Sequence, residues 1–270
     1  MDNIQWKHLI PILESQELTR KRILISILLI GLTTFIILCI RFYQYFTLSF
    51  FTSKPFILIY IILFILLCYM CYEPFMLRYT FNEITIPSKS CLKRPLIIVQ
   101  LSDLHLQWPY PYVTEKSLKS IVHTINTQIH PDFVFLTGDY ISRYRSHSIS
   151  SSNTAALIRG LRGLEAKYGV YCILGNNDFR ALPLILDMFK ELNYTLLRNQ
   201  TTMVNIDDNE KILISGLDPS KSLEIARERL NELNLDTNNY SNTLKILLAH
   251  EPDVAVVSSN YGFDIQFSGH

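Results

Sequence analysis

Residues 96–105 read LIIVQLSDLH, and this stretch predicts how the region around it folds. Its apolar and β-branched residues predict a short buried strand. Asp103 and His105 follow the strand and are two residues apart, so an extended backbone would place both side chains on the same side. Open α/β sheets form their sites at the carboxyl ends of strands. The stretch therefore predicts an oxygen ligand and an imidazole presented together at the end of a strand.

Short apolar strands and amphipathic helices alternate downstream, which is the pattern of an α/β fold. The predicted strands are 96–101, 133–137, 170–174, 194–198, 201–206, 211–215, 244–249 and 263–267. The predicted helices are 114–129, 153–168, 180–192 and 222–233. Gly169 is the expected end of the second helix, because glycine often terminates helices.

Polar residues follow five of these strands. In chain order they are Asp103 with His105, Asp139, Asn176, His250 and His270. A mixture of oxygen donors and imidazoles suits Mn²⁺, Fe or Zn²⁺ better than Ca²⁺. A carboxylate such as Asp139 can bridge two ions about 3.5–4 Å apart. Taken singly, each residue is more often a cap, a turn or a surface residue, but their common position after strands favours a metal site.

Five ordered motifs resemble those of calcineurin-like metallophosphoesterases over about residues 95–270: Asp-x-His, Gly-Asp, Gly-Asn-x-Asp, His and Gly-His. The run Leu-Leu-Ala-His-Glu-Pro-Asp looks most like the membrane-associated bacterial branch of that family. This branch includes the UDP-diacylglucosamine pyrophosphatases of lipid A synthesis. The resemblance implies a four-layer α-β-β-α sandwich of the α/β class and an enzyme that hydrolyses phosphoanhydride or phosphodiester bonds.

The same resemblance implies a pair of divalent ions, with Mn²⁺ expected first and Fe or Zn as alternatives. Asp103 and His105 would hold the first ion, and Asp139 would bridge both. Asn176, His250 and His270 would hold the second ion.

Two positions depart from the family pattern. Asn177 stands where the family motif has a histidine, and asparagine cannot act as a general acid. A leaving group that is already a stable anion needs such help least, which favours a phosphoanhydride substrate. Asn177 and Asp178 are then candidates for leaving-group or ligand-orienting roles. No second histidine of a Gly-His-x-His motif follows His270, so we expect a C-terminally incomplete sandwich with weak activity or none.

Three basic residues follow the Gly-Asp motif, namely Arg143, Arg145 and His147. They are candidates for binding a substrate phosphate, and the alternative is a solvated surface loop. The leading functional hypothesis is a membrane-anchored hydrolase of UDP-diacylglucosamine. A general phosphodiesterase or phosphatase, and a catalytically impaired binding protein that keeps the fold, are the other two.

Two long apolar runs precede this region. Residues 23–40 and 56–72 contain no charged side chain and are about long enough to cross a bilayer as helices. We therefore predict a membrane region over 1–94 and a metallophosphoesterase domain over 95–270, with two buried core helices as the alternative. Lysine and arginine concentrate before the first run and after the second, and only Arg41 and Lys54 lie between the runs. By the positive-inside rule, this predicts that both ends are cytoplasmic. The expected location is the bacterial inner membrane, with the catalytic domain facing the cytoplasm; the sidedness inverts if only the first run spans.

Composition limits the remaining possibilities. The formal net charge is +1 over 270 residues, which gives no electrostatic case for binding nucleic acid. The five cysteines are an odd number, and the Cys68–Cys71 pair lies inside an apolar run, so we interpret them as reduced and structural and not as a zinc site. The expected partners are a lipid-linked or nucleotide phosphate substrate and the membrane.

Overall fold

The computed structural model describes residues 29–41, 54–73, 76–86, 92, 94–106, 113–142, 151–207, 210–233 and 243–270. The chain divides into two compact units between Asn82 and Glu83. The domain boundary after residue 94 stays a prediction.

The first unit contains helices in both apolar runs. Helix α1 covers 29–41 and helix α2 covers Lys54–Tyr72. The rings of Phe35 and Tyr60 pack edge to face, with centroids 6.2 Å apart. Among the residues that the structure describes, no helix meets the combined length and hydropathy required of a candidate membrane span. The predicted transmembrane hairpin is therefore unsupported, and residues 23–28 of its first run lie outside the described residues.

The second unit begins with a parallel sheet. Its strands, in spatial order, are β1 (Ile98–Leu101), β2 (Phe133–Leu136), β3 (Val170–Cys172) and β4 (Thr195–Leu196). Strand β2 is fully buried, whereas β1 is half-buried because it lies at the edge of the sheet. The prediction of a buried first strand is wrong in this respect.

Three helices accompany this sheet: α3 (Glu115–Thr124), α4 (Ser151–Leu161) and α5 (Leu182–Leu192). Thr114 and Ser117 form a capping box that begins α3, and a π-helical turn, Ile125–Ile129, extends it. Helix α4 ends seven residues earlier than predicted, because Gly163 adopts the left-handed conformation at φ 81°.

The second sheet contains β5 (Gln200–Asp207), β6 (Glu210–Gly216), β7 (Leu244–Leu248) and β8 (Ile265–Phe267), in that spatial order. Strands β5 and β6 are antiparallel, and the other pairs are parallel. Helix α6 (Leu223–Glu232) follows β6, and short helical segments including α7 (Ala255–Ser258) connect β7 to β8. The sequence pattern does not predict these last segments.

The two sheets face each other across one apolar core. Phe133 and Phe135 of the first sheet belong to the same buried cluster as Ile214 and Ile246 of the second. A second cluster packs α6 and α7 against β7 through Ala226, Leu230, Leu247 and Val257. Two facing sheets with helices confirm the predicted α/β fold class. The packing also brings the carboxyl ends of β1, β2, β7 and β8 toward one place.

Candidate metal centre

Backbone hydrogen bonds continue past the strand ends and bring the predicted ligands together. The Asp103 N–H donates to Gly138 O and the His105 N–H donates to Asp139 O, both at 3.0 Å. On the second sheet, the Gly269 N–H donates to His250 O at 3.0 Å. Each polar residue is therefore held in register with the one on the neighbouring strand.

Asp103, His105 and Asp139 form the first ligand cluster. One ligand atom from each lies within 4.8 Å of the others. His105 Nε2 is 3.6 Å from Asp103 Oδ1 and 3.6 Å from Asp139 Oδ2. The other ring nitrogen, Nδ1, lies 3.3 Å from Ile141 O, which orients the ring so that Nε2 faces both carboxylates.

Asp139, His250 and His270 form the second ligand cluster, again with ligand atoms within 4.8 Å of one another. His250 is fully buried, and its Nδ1 lies 2.8 Å from Thr137 O. Its Nε2 is 3.5 Å from Asp139 Oδ2 and has no hydrogen-bond partner among the residues that the structure describes. A buried polar atom without a partner costs about 1–3 kcal/mol. A metal ion between the histidines and Asp139 would satisfy this atom, so the residues present fit a metal.

Asp139 belongs to both clusters and is held from a third direction by Asn177. The Asn177 backbone N–H donates to Asp139 Oδ1 at 2.8 Å, and its side-chain Nδ2 donates to Oδ2 at 2.6 Å. The amide of Asn177 therefore orients the shared carboxylate. Its predicted part at the leaving group stays a prediction.

The carboxylate of Asp178 binds backbone N–H groups next to the centre. Asp178 is fully buried, and its carboxylate accepts hydrogen bonds from the N–H groups of Asp139, Tyr140 and Gly175 at 2.9, 2.9 and 2.7 Å. Burial raises the pKa of Asp178 to about 7, against the opposing effect of these N–H donors. The side chain ties the loop after β2 to the loop after β3.

The ligand residues have unusual backbone conformations. The φ angles of Asp103, His105, Asp139 and His270 are 51°, 40°, 55° and 66°. A non-glycine residue in this left-handed region costs about 1–3 kcal/mol, and such residues cluster at functional sites. The expectation that Asp103 and His105 share a side because the chain is extended is therefore wrong. They converge because the backbone turns at both residues.

Close approach of the loops explains the glycine beside Asn176. A Cβ on Gly175 would collide with the backbone nitrogen and Oδ1 of Asp139. Only glycine permits this contact between the two loops.

The carboxylates are charged at neutral pH. Burial alone would raise the pKa of Asp103, but hydrogen bonds that include those from His105 and Ser102 lower it to about 2. The pKa of Asp139 is lowered in the same way, against burial, by His250. Burial lowers the pKa of His250, yet its interaction with Asp139 outweighs this and raises the value to about 9. A cation that binds His250 must displace its proton, so metal binding would release protons.

Four predicted residues remain, and their roles stay predictions. Asn176 is exposed and lines a cleft next to His270. Arg143, Arg145 and His147 lie outside the described residues.

Two polar residues near the centre, Ser102 and Gln100, are not among the predicted site residues. Ser102 Oγ donates to Asp103 Oδ2 at 2.6 Å. Gln100 Nε2 donates to Thr137 Oγ1 and Ser268 O at 2.9 and 2.7 Å, which links the two sheets. Gln100 could have been found from the sequence, because it is a polar residue within an otherwise apolar strand.

Residues 96–270 match the family described as calcineurin-like phosphoesterase. The chain belongs to the calcineurin-like phosphoesterase family. This family normally uses a pair of divalent ions, in agreement with two ligand clusters that share Asp139.

Relatives of this calcineurin-like phosphoesterase include a named enzyme. The uncharacterized metallophosphoesterase YkuE of Bacillus subtilis is 34% identical over 188 residues, covering 64% of this chain and 57% of YkuE. The UDP-2,3-diacylglucosamine pyrophosphatase LpxG of Chlamydia muridarum is 27% identical over 252 residues, covering 73% of this chain and 70% of LpxG. The chain thus spans little more than half the length of YkuE. A solved structure, TT1561 of Thermus thermophilus, is 13% identical, covers 64% of this chain and 80% of its own, and has a TM-score of 0.45.

Proposed function

We propose that this chain is a metal-dependent phosphohydrolase that cleaves the pyrophosphate of UDP-diacylglucosamine. The observation that carries the hydrolase part is the pair of ligand clusters joined by Asp139. Such a pair suits hydrolysis at phosphorus, because two neighbouring cations can hold both the attacking and the leaving oxygen.

Each residue has a role in this proposal. Asp103 and His105 would hold one ion, His250 and His270 with the exposed Asn176 would hold the other, and Asp139 would contact both. When bound, the ions supply activation of a water molecule and neutralise charge on the phosphoryl oxygens. Mn²⁺ is the first candidate, with Fe or Zn as alternatives, because the donors mix carboxylate and imidazole.

The proposal of a phosphoanhydride rests on Asn177. Its amide donates to Asp139 and has no acidic proton to give to a leaving oxygen. A phosphate released from a pyrophosphate leaves as a stable anion and needs no such proton. The likeness to LpxG, which is named as a UDP-2,3-diacylglucosamine pyrophosphatase, supports the same substrate.

The proposal includes a membrane location, with the catalytic domain at the cytoplasmic face of the bacterial inner membrane. Large apolar side chains are exposed on both helices of the first unit, among them Ile37, Leu63 and Met70 at 58, 55 and 68%. Exposed apolar surface of this extent favours contact with lipid or protein. Separation of membranes from cytosol, followed by protease treatment of inverted vesicles, tests the location.

A turnover assay tests the substrate. The full chain is purified in detergent, supplied with Mn²⁺, and offered UDP-diacylglucosamine beside bis(p-nitrophenyl) phosphate. Release of UMP supports the proposal. Turnover of the aryl ester alone would instead indicate a general phosphodiesterase. No turnover of either, even after a second histidine is added beyond His270, would indicate a binding protein. Asp139→Asn serves as the inactive control, and Asp187→Asn, on the exposed face of α5, as the matched neutral change.

A further inference from the structure

A cleft of about 1000 Å³ opens directly from the candidate metal centre. His270 and Asn176 lie on its wall at one end. The remaining wall comes mainly from two loops, 176–180 after β3 and 219–225 after β6. The cleft is therefore bounded by segments from both sheets, and it shares His270 with the second ligand cluster.

Two cations face this cleft from opposite loops. Arg180 follows β3, and Lys221 follows β6; both side chains are exposed. Within the described part of the chain, neither forms an ion pair with a carboxylate. Glu251 also lines the cleft, but its Oε2 accepts a hydrogen bond from the Ser220 N–H at 3.1 Å.

Arg229, the third basic residue that lines the cleft, binds backbone carbonyl oxygens. The guanidinium of Arg229 donates to the carbonyl oxygens of Asp218 and Pro219. It thereby fixes the loop that carries Lys221. Among the described residues that line the cleft, Arg180 and Lys221 remain as the cations available to a ligand, and Asp253 adds an exposed carboxylate to the same wall.

An aromatic side chain of the same wall packs against an arginine. Phe179 lines the cleft and is 42% exposed. The guanidinium of Arg198 lies 5.8 Å from the centre of its ring, and Arg198 donates to both oxygens of Asp218, at 2.7 Å for the shortest contact. Arg198 follows β4 and Asp218 follows β6, so Arg198 links Phe179 of the first loop to the start of the second and helps to pre-form the wall.

We propose that the cleft selects substrates with a second phosphate next to the one that reacts. Arg180 and Lys221 bind this second phosphate, and Phe179 contacts the organic group attached to it. The inference rests on the proposed function, since it assigns the distal part of the same substrate. Charge-assisted hydrogen bonds to phosphate are strong and directional, so two cations on facing loops discriminate a diphosphate ester from a monophosphate diester that is too short to reach them.

The test compares a cleft variant with a charge-matched control. Arg180→Ala/Lys221→Ala removes the two cations proposed to bind the second phosphate and keeps Arg229. Lys190→Ala/Lys211→Ala removes two exposed cations that do not line it. For each protein, kcat/KM is measured with Mn²⁺ on UDP-diacylglucosamine and on bis(p-nitrophenyl) phosphate, and the binding of UDP-glucose to the metal-free protein is measured by calorimetry.

We expect the cleft variant to shift the ratio of the two kcat/KM values at least tenfold against UDP-diacylglucosamine, and to weaken UDP-glucose binding at least tenfold. The control variant should change neither. The charge-conserving Arg180→Lys/Lys221→Arg should recover most of the binding, which excludes a merely misfolded cleft.

Equal losses on both substrates, or unchanged binding of UDP-glucose, would overturn the inference. If UDP-diacylglucosamine is not cleaved even after a second histidine is added beyond His270, the proposed function fails. The assignment of the cleft is then decided by the calorimetry alone, because that measurement needs neither metal nor turnover.

Discussion

Replacing Asp178 with alanine removes the acceptor for three backbone N–H groups, those of Asp139, Tyr140 and Gly175, which donate at 2.7–2.9 Å. Each buried N–H left without a partner costs about 1–3 kcal/mol. Because the alanine leaves room for some of them to find water, we expect the free energy of unfolding to fall by about 3–5 kcal/mol in total. Asp178→Asn keeps one acceptor and should cost about half as much.

The same change should loosen Asp139, since its backbone nitrogen is one of the three donors. Loss of such a supporting contact typically weakens metal binding by about 10–100-fold. Urea unfolding of the metal-free protein measures the first effect, and calorimetric titration with Mn²⁺ measures the second. Asp187→Ala, an exposed carboxylate on α5, is the control and should stay within about 0.5 kcal/mol of wild type. The reasoning is refuted if Asp178→Ala costs less than about 1 kcal/mol and leaves the Mn²⁺ affinity unchanged.

Two further changes test the chemistry and the electrostatics. Asn177→His restores a group that can donate a proton to a leaving oxygen, so kcat/KM on glycerophosphoethanolamine should rise about tenfold or more relative to UDP-diacylglucosamine, measured by product release. Asp132→Asn breaks the paired hydrogen bonds from Arg94, at 2.6 and 2.9 Å, and should cost about 2 kcal/mol in urea unfolding at pH 7. Burial alone would raise the pKa of Asp132, but the hydrogen bonds from Arg94 outweigh burial and the pKa is lowered. The pair therefore stabilises the fold fully above the pKa of the unfolded state, about 3.9, and this stabilisation is lost as pH falls through the lower pKa of the folded state.

A specific result would contradict each of these two predictions. An unchanged substrate ratio in Asn177→His, with Asn177→Gln as its control, would show that the missing proton donor does not set substrate choice. A stability difference between wild type and Asp132→Asn that is as large at pH 2 as at pH 7 would show that the Arg94 pair does not act through the charge of Asp132.

The sequence predicts the strands of the site well because the signals are local. Strands β2 and β7 are apolar runs that stop shortly before a polar residue, and these two residues, Asp139 and His250, meet in the structure. Helix α3 is predicted from its apolar stripe, and its cap is visible as Thr114. The facing arrangement of the two sheets follows from the family resemblance and not from any local pattern.

Other features depend on contacts between residues far apart in the sequence, so local sequence patterns do not predict them. The left-handed turns at Asp103 and His105 are imposed by pairing with the loop after β2. The hydrogen bonds from Asn177 and Asp178 to Asp139 and Tyr140 span 38 or 39 positions, so a turn-like sequence gives no sign of them. Helix α4 stops at Leu161, although its apolar pattern continues to residue 168, because Gly163 turns the chain.

Calorimetric titration of the metal-free protein with Mn²⁺ tests the shared-ligand centre most directly. We predict that wild type binds two equivalents and that Asp139→Asn binds fewer, because Asp139 belongs to both ligand clusters. Asp187→Asn should behave as wild type. Absence of Mn²⁺ binding by wild type, or two equivalents bound equally well by Asp139→Asn, would contradict the account.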